Sequence, residues 1–451
     1  MVHFCGVIPT VLTLTIGFYC LSIILNKFGY QFATGQDVQF FFNSGAESAY
    51  CMGIIELEKV KAKVLKTECL HRKGLHNVRK MRQVPFNFLG IHFWKDIDPE
   101  VAIEQFQIID DKFSTRDDVI NHCNEWASTN ISMDKPQWEM RFKEDYTKDT
   151  SLLLMKAHHS FTDGVGIVTL FAFLNDESLC PKMMPVNKDF SSIQTFLLVL
   201  FTPVALLLQY LVILFHKVHK STRMIHTPDG KLSSETVLLL SKTFDFEDIR
   251  KCYKKYEKTT FNNYLMGVLS KSIHSWFVKN NVEAPDNLLM ACPVSMKGFP
   301  KSVEEIDMNN YTSNITIQLP ILKDMNESLK ITKERFAQFF KLYYLFPTVY
   351  FQHLFRYIPK KIGTYLYNRF TKEVDIILTN VNGPKEPIYL CNKKIMSITP
   401  FLTTFSTIDL IIICFSYNKK IGFQIFADKN IQMDPRELRD LLESNFDGHM
   451  A

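Results

Sequence analysis

Between Ser151 and Gly166 the chain reads SLLLMKAHHSFTDGVG, and this string holds the residues best placed to do chemistry. Leu152–Met155 has the composition of a short buried strand, and the run ends in paired histidines, His158 and His159. After three intervening residues come Asp163 and Gly164, then an apolar helical pattern over Val165–Leu174. Strand, histidine pair, tight Asp-Gly turn and helix would hold an imidazole at the mouth of a rigid element, as general-base chemistry requires. A lone histidine at a strand end more often does no more than hydrogen-bond a neighbour; its spacing to Asp163-Gly164 sets this one apart. No Ser or Cys nucleophile motif accompanies it, so no covalent acyl-enzyme is expected. No His/Asp cluster has ligand spacing, and no metal is expected either.

The elements around this string come from a folded chain. At 451 residues with 22% charged and 13% aromatic residues, including 38 phenylalanines, it can bury a large core. A net charge of +5 suits anionic partners but argues weakly for nucleic acid, and no nucleic-acid motif is present. The ten cysteines form no CxxC pair, which fits a reduced body facing the cytosol. Upstream, Asp134–Met140 (DKPQWEM) leads through Arg141–Glu144 and a polar turn at Tyr146–Thr150 into the histidine strand, a hairpin pattern. Nine basic residues between Lys59 and Arg82 form either a solvated face or a patch for anionic lipid or CoA phosphates. From about residue 235 a second α/β unit begins. It includes a helix capped near Thr259, strands at Leu288–Cys292 and Ile315–Leu319, and a hairpin around Asn418-Lys419-Lys420. Asp434-Pro435 opens a terminal helix.

Two stretches carry no Asp, Glu, Lys or Arg: residues 1–26 and residues 190–216. Each matches the roughly 20 apolar residues a bilayer helix needs. The first is expected to be an uncleaved anchor with the body on the cytoplasmic side, because basic residues follow it. The second, with Pro203 near its centre, is expected to dip into one leaflet or lie in plane. Val349–Phe370, aromatic and basic, is either a membrane-surface helix or a helix of the core.

The His158-His159-x-x-x-Asp163-Gly164 string resembles the active-site signature of the wax ester synthase/diacylglycerol acyltransferase family, within the CoA-dependent acyltransferases. Further stretches resemble that family's motifs in order: Phe261-Asn262-Asn263 with Asn for Asp; Pro293–Lys297 with Lys for Arg; Asn310 with Asn309 for Gly; and Asn380–Pro384 with Asn382 for Pro. The resemblance spans roughly residues 48–445 and implies an α/β (α+β) fold of two chloramphenicol-acetyltransferase-like lobes with a tunnel between them. With the two uncharged stretches, it divides the chain into an anchor (1–26), a first lobe (45–185), an apolar insert (190–216) and a second lobe (221–451). It further implies that His159 is the base, that His158 supports the turn, and that Asp163 braces the loop through a basic partner. Gly164 allows the tight turn, Asn262 and Asn380 position substrate or merely cap and close local structure, and Gly383-Pro384 line the tunnel. The implied reaction moves a fatty acyl group from acyl-CoA, a co-substrate rather than a cofactor, to a long-chain alcohol or diacylglycerol. The implied setting is a membrane, the endoplasmic reticulum, with membrane lipids as partners. The alternatives are acylation of another alcohol, a sterol or a short chain, and a catalytically silent lipid-binding protein.

Overall fold

The computed structural model describes residues 20–42, 48–174, 225–228, 231–233, 235–295, 306–339, 352 and 355–447. In the first part of the chain the strands are β1 (Tyr30–Phe32), β2 (Tyr50–Glu58), β3 (Gln83–Phe88), β4 (Ile91–Asp96), β5 (Phe106–Ile108), β6 (Trp138–Lys143) and β7 (Thr150–His158). Helices α1 (Gly35–Val38), α2 (Arg116–Ala127) and α3 (Gly164–Leu174) accompany them. The later strands are β8 (Thr236–Leu240), β9 (Phe244–Asp245), β10 (Asn287–Ser295), β11 (Thr312–Pro320), β12 (Ile376–Asn382), β13 (Tyr389–Leu390), β14 (Lys393–Leu402), β15 (Leu410–Tyr417) and β16 (Lys420–Asp428). The later helices are α4 (Phe246–Lys254), α5 (Phe261–Lys279), α6 (Met325–Phe339), α7 (Lys360–Thr371) and α8 (Pro435–Asp447).

Two large sheets form two lobes. The first has the order β13-β14-β2-β7-β6-β5, and the second β11-β10-β12-β15-β16-β8, with β9 also pairing β16. The histidine strand β7 lies inside the first sheet, antiparallel to β2 and β6 with His158 opposite Tyr50 and Ala157 opposite Trp138. Covered on both faces, it reads as an almost continuous apolar run rather than an alternating one. The expected hairpin closes where Tyr146 N–H donates to Thr150 O at 3.2 Å. In the second lobe, Asn418 and Lys419 take φ of +48° and +62°, the left-handed pair that a two-residue β15–β16 turn needs.

One strand pair crosses between the lobes. Residues 389–402, which the sequence reading gives to the second lobe, hydrogen-bond into the first sheet: β14 runs antiparallel along β2 from Ile395–Leu57 to Leu402–Cys51. This covers a β2 edge that would otherwise offer bare backbone donors and acceptors. The first core likewise takes in Ile411, Ile413 and Phe415 from the second sheet. A third sheet, β1-β4-β3, forms a small outer layer. Most of the expected anchor and all of the expected insert at 190–216 lie outside the described residues. Among the described residues no helix is long and apolar enough to cross a membrane.

Candidate active site

His159 follows directly after β7. Its backbone N–H donates to Ala49 O at 2.8 Å, and its ring stacks on Phe40 with centroids 4.0 Å apart and planes 14° apart. Nδ1 lies 3.2 Å from Asn310 Oδ1. The amide's orientation follows from its other partners: Asn310 Nδ2 donates to Asp37 Oδ1 and to His159 O, each at 2.8 Å. A carboxylate and a carbonyl can only accept, so Oδ1 is the atom turned to the ring, and Nδ1 must carry the proton. Nε2 then keeps its lone pair and has no partner among the described residues. Burial holds the ring's pKa below its ordinary value, against its own carbonyl, Asp163, Asn310 and Asp37, which pull the other way. At neutral pH the ring is an uncharged base.

Behind Asn310 lies an ion pair that the sequence did not reveal. Asp37 also accepts Asn310 N–H at 3.0 Å, Lys80 Nζ at 2.8 Å and Trp94 Nε1 at 3.3 Å. Lys80 further donates to Asn309 Oδ1 at 2.9 Å. The pair is almost wholly enclosed, and burial lowers the Lys80 pKa even beside Asp37. Such a pair needs its remaining hydrogen bonds filled, and Asn309, where the family motif has glycine, fills one of them. In sequence Asp37 was hidden in a phenylalanine run and Lys80 among eight other basic residues. Several of those neighbours are also spent internally: Lys59 on Asp145, Lys61 on Glu144 and Arg79 on Asp96.

His158 is buried and turned away. Its Nδ1 accepts from Ser160 Oγ at 2.7 Å, and burial drops its pKa to about 3, so it stays neutral. Asp163 has no basic partner among the described residues; Oδ1 accepts from Gly166 N–H at 2.8 Å and Oδ2 from Tyr311 N–H at 3.2 Å. Among the described residues the brace is a pair of backbone amides, one from each side of the site, with buried Lys80 contributing at longer range, while Lys297 of the Pro293–Lys297 run lies outside the described residues. The tight glycine differs too. A Cβ on Gly166 would lie 1.8 Å from Thr162 Oγ1, whereas one on Gly164 would meet Val381 at an ordinary 3.5 Å.

Asn380 Nδ2 donates to Asn262 Oδ1 at 2.7 Å, joining the end of β12 to the first turn of α5. Asn380 Oδ1 is buried without a hydrogen-bond partner. Asn263, where the family motif has aspartate, completes a reciprocal cap with Thr260. Gly383 N–H donates to Ser416 O at 2.9 Å, and a Cβ there would sit 2.2 Å from that oxygen. His159, Asp163, Gly164, Asn380 and Pro384 all border one cavity of about 660 Å³ between the lobes, otherwise lined mainly by apolar side chains such as Met155 and Phe401. Gln39 and Phe40 reach it from the segment after α1, Leu289 and Ala291 from β10.

The sequence matches two family models: the wax ester synthase/diacylglycerol acyltransferase catalytic domain over residues 111–226, and the C-terminal domain of the same family over residues 308–448. Among solved structures it is similar to the wax ester synthase/diacylglycerol acyltransferase from Marinobacter aquaeolei VT8, at 15% identity over 93% of this chain and 98% of that one, with a TM-score of 0.61. The trichothecene 15-O-acetyltransferase from Fusarium sporotrichioides superposes with a TM-score of 0.63 at 12% identity, covering 93% and 94% of the two chains. A variant starter condensation domain of rhizomide synthetase, solved with C8-CoA and Leu-SNAC, gives 0.63 at 8% identity over 95% of each chain. At these identities the likeness shows the shared two-lobed fold. No curated protein sequence matches the chain.

Proposed function

Because the chain belongs to the wax ester synthase/diacylglycerol acyltransferase family, and is an O-acyltransferase that takes its acyl group from acyl-CoA, we propose that His159 is its general base and that its acceptor is a long-chain alcohol or diacylglycerol. In this reading Nε2 removes the hydroxyl proton of the acceptor as the oxygen attacks the thioester carbonyl. The C–S bond breaks when the tetrahedral intermediate collapses, and the imidazolium returns the proton to the leaving CoA thiolate. Base catalysis of this kind contributes about 10²–10⁴-fold.

The observation that carries the reading is the tautomer of His159. Asn310 and Asp37 keep the proton on Nδ1 while the ring borders a cavity with apolar walls and room for an acyl chain. His158 and Asp163 hold the turn. The Asn262–Asn380 pair presents a buried acceptor, Asn380 Oδ1, that an acceptor hydroxyl would satisfy, and Gly383-Pro384 shape the wall. The enzyme's setting in this reading is a membrane of the endoplasmic reticulum with the catalytic body on the cytoplasmic side. Support comes from the uncharged stretches 1–26 and 190–216 and the basic residues that follow each.

The test is a membrane-fraction assay with labelled palmitoyl-CoA, offering hexadecanol and diacylglycerol in parallel to wild type and His159→Ala at matched expression. Wax ester or triacylglycerol formed by wild type and lost in the variant establishes the base and names the acceptor. Activity surviving in His159→Ala removes His159 from that role. Failure of wild type with both acceptors overturns the lipid-acceptor assignment.

A further inference from the structure

The outer sheet β1-β4-β3 gathers most of its apolar side chains on the face turned away from the lobes, the reverse of what a covering layer needs. Its inner face, through His92 and Trp94, packs on Phe41, whose ring in turn stacks on His158. Alternation along the strands puts Ile91 and Phe93 on the opposite face, with their cross-strand partners Phe88, Phe86 and Phe32. There Tyr30 and Phe86 lie 5.3 Å apart and Phe32 and Phe93 4.8 Å apart. This array stays open towards the hairpin tip: Phe88 is 59% exposed, Leu89 86% and Ile91 42%. The tip also breaks a local rule. Leu89 and Gly90 sit at φ of +52° and +83°, positions where a two-residue turn in water favours Asn-Gly. Leucine is disfavoured there, and at this exposure no packing among the described residues offsets the strain.

The covalent neighbour of this sheet indicates what covers the face. The uncharged residues 1–26 run into β1 through a helix over 20–27 whose Leu21, Ile23 and Ile24 are exposed, as is Phe28 just after it, and Gly29 O accepts from Asp96 N–H, tying that entry to the end of β4 away from the tip, from which β1 runs towards it. Lys95 lies on the open face opposite Tyr30, and Lys27 precedes it, so the apolar array is flanked by cations. We propose that the β3–β4 hairpin is a membrane-docking element whose tip, Phe88-Leu89-Gly90-Ile91, inserts into a phospholipid surface. Apolar side chains for the acyl region and lysines for anionic headgroups form the interfacial pattern. Docked in this way, the lipid surface lies one sheet away from His158 and the neighbouring base, where an acceptor leaving the bilayer could reach the cavity. This last consequence rests on the lipid-acceptor reading above; the docking surface itself does not.

Two measurements on the full chain test it. In Leu89→Trp, vesicles of phosphatidylcholine and phosphatidylserine bearing brominated acyl chains should quench emission beyond the level seen for the four native tryptophans. Ile108→Trp, at an exposed position on β5, should show no added quenching. Quenching of Leu89→Trp no greater than in wild type or in Ile108→Trp overturns the proposal, including when the face is covered instead by another copy or by protein. Second, Phe88→Ser/Leu89→Asn, which removes apolar bulk and relieves the positive φ, should lower kcat/KM about ten-fold or more for vesicle-borne hexadecanol, the loss expected when two buried apolar side chains leave lipid. Turnover of a water-dissolved short-chain alcohol should be unchanged. Equal loss with both acceptors would make the effect a folding defect and also overturn docking. If no alcohol is esterified at all, the acceptor reading fails while the quenching result still decides the surface.

Discussion

With Asn310 Oδ1 accepting the Nδ1–H of His159, and Asp37 fixing which end of that amide faces the ring, the tautomer of the proposed base is set by groups outside its own motif. Asn310→Ala leaves the ring's own carbonyl as the remaining partner, so the tautomer is weakened rather than lost. The expected cost is about ten-fold in kcat, since a hydrogen bond of about 1–1.5 kcal/mol converts to roughly that factor. KM for acyl-CoA should hardly move, and a change confined to KM would refute the assignment. The lowered pKa of His159 also fixes a sign. Protonation removes the base, so the acid limb of kcat/KM should fall below the ordinary histidine value of about 6.5. A limb at or above neutrality would mean that a different group titrates. The glycines of the turn separate equally clearly. Gly166→Ala should abolish activity and lower soluble yield, because its Cβ overlaps Thr162 Oγ1, while Gly164→Ala should keep a wild-type melting temperature.

At the scale of elements, the legible features were those with local chemistry. Thr260 and Asp434 announce their helices because caps are local hydrogen bonds, and Asn418-Lys419 marks a hairpin because few residues accept positive φ. Asp37 and Lys80 were not legible: their meaning is a contact made across the fold, and along the chain they look like scattered charge. Nor was the transfer of β14 to the other sheet, since edge pairing leaves no trace in a strand's own pattern. His226 belongs to the same class. Its Nδ1 meets Asp409 at 2.8 Å and its Nε2 meets Asp375 at 3.0 Å, while those carboxylates also accept from Thr227 N–H and Leu289 N–H. The ring thus pins the starts of β12 and β15 to β10. Burial disfavours the charged ring, but the two carboxylates outweigh it and raise its pKa to about 10. A raised folded pKa means that the clamp contributes fully below about pH 6.5 and is lost as pH climbs through about 10. His226→Ala should therefore cost about 3 kcal/mol near pH 6, by stranding two buried carboxylates. The gap in melting temperature between it and wild type should narrow towards pH 10, and a constant gap would contradict the linkage.

At the scale of the whole molecule, the described residues join the lobes repeatedly: β14 lies on β2, Asn310 bonds His159 and Asp37, Tyr311 bonds Asp163, and the first core includes Ile411, Ile413 and Phe415 from the second sheet. Neither sheet completes its packing alone, so the two should unfold as one despite the size of the chain. Phe401 provides the probe. It is a fully buried residue of β14, and its ring meets Phe426 of β16 edge-on at 5.4 Å, so one side chain belongs to both sheets. Phe401→Ala should cost about 3–5 kcal/mol. Trp94, Trp126 and Trp138 report on the first lobe and its outer layer, and Trp276 on α5 of the second. Urea titrations of wild type and of Trp276→Phe, each with and without Phe401→Ala, separate these signals. If the lobes are coupled, tryptophan emission and far-UV circular dichroism will share one midpoint in every background, and Phe401→Ala will lower it for all probes together. A first-lobe transition that moves while the Trp276 signal stays in place would show two independent units, and the tunnel would then be a cleft between separately folding parts.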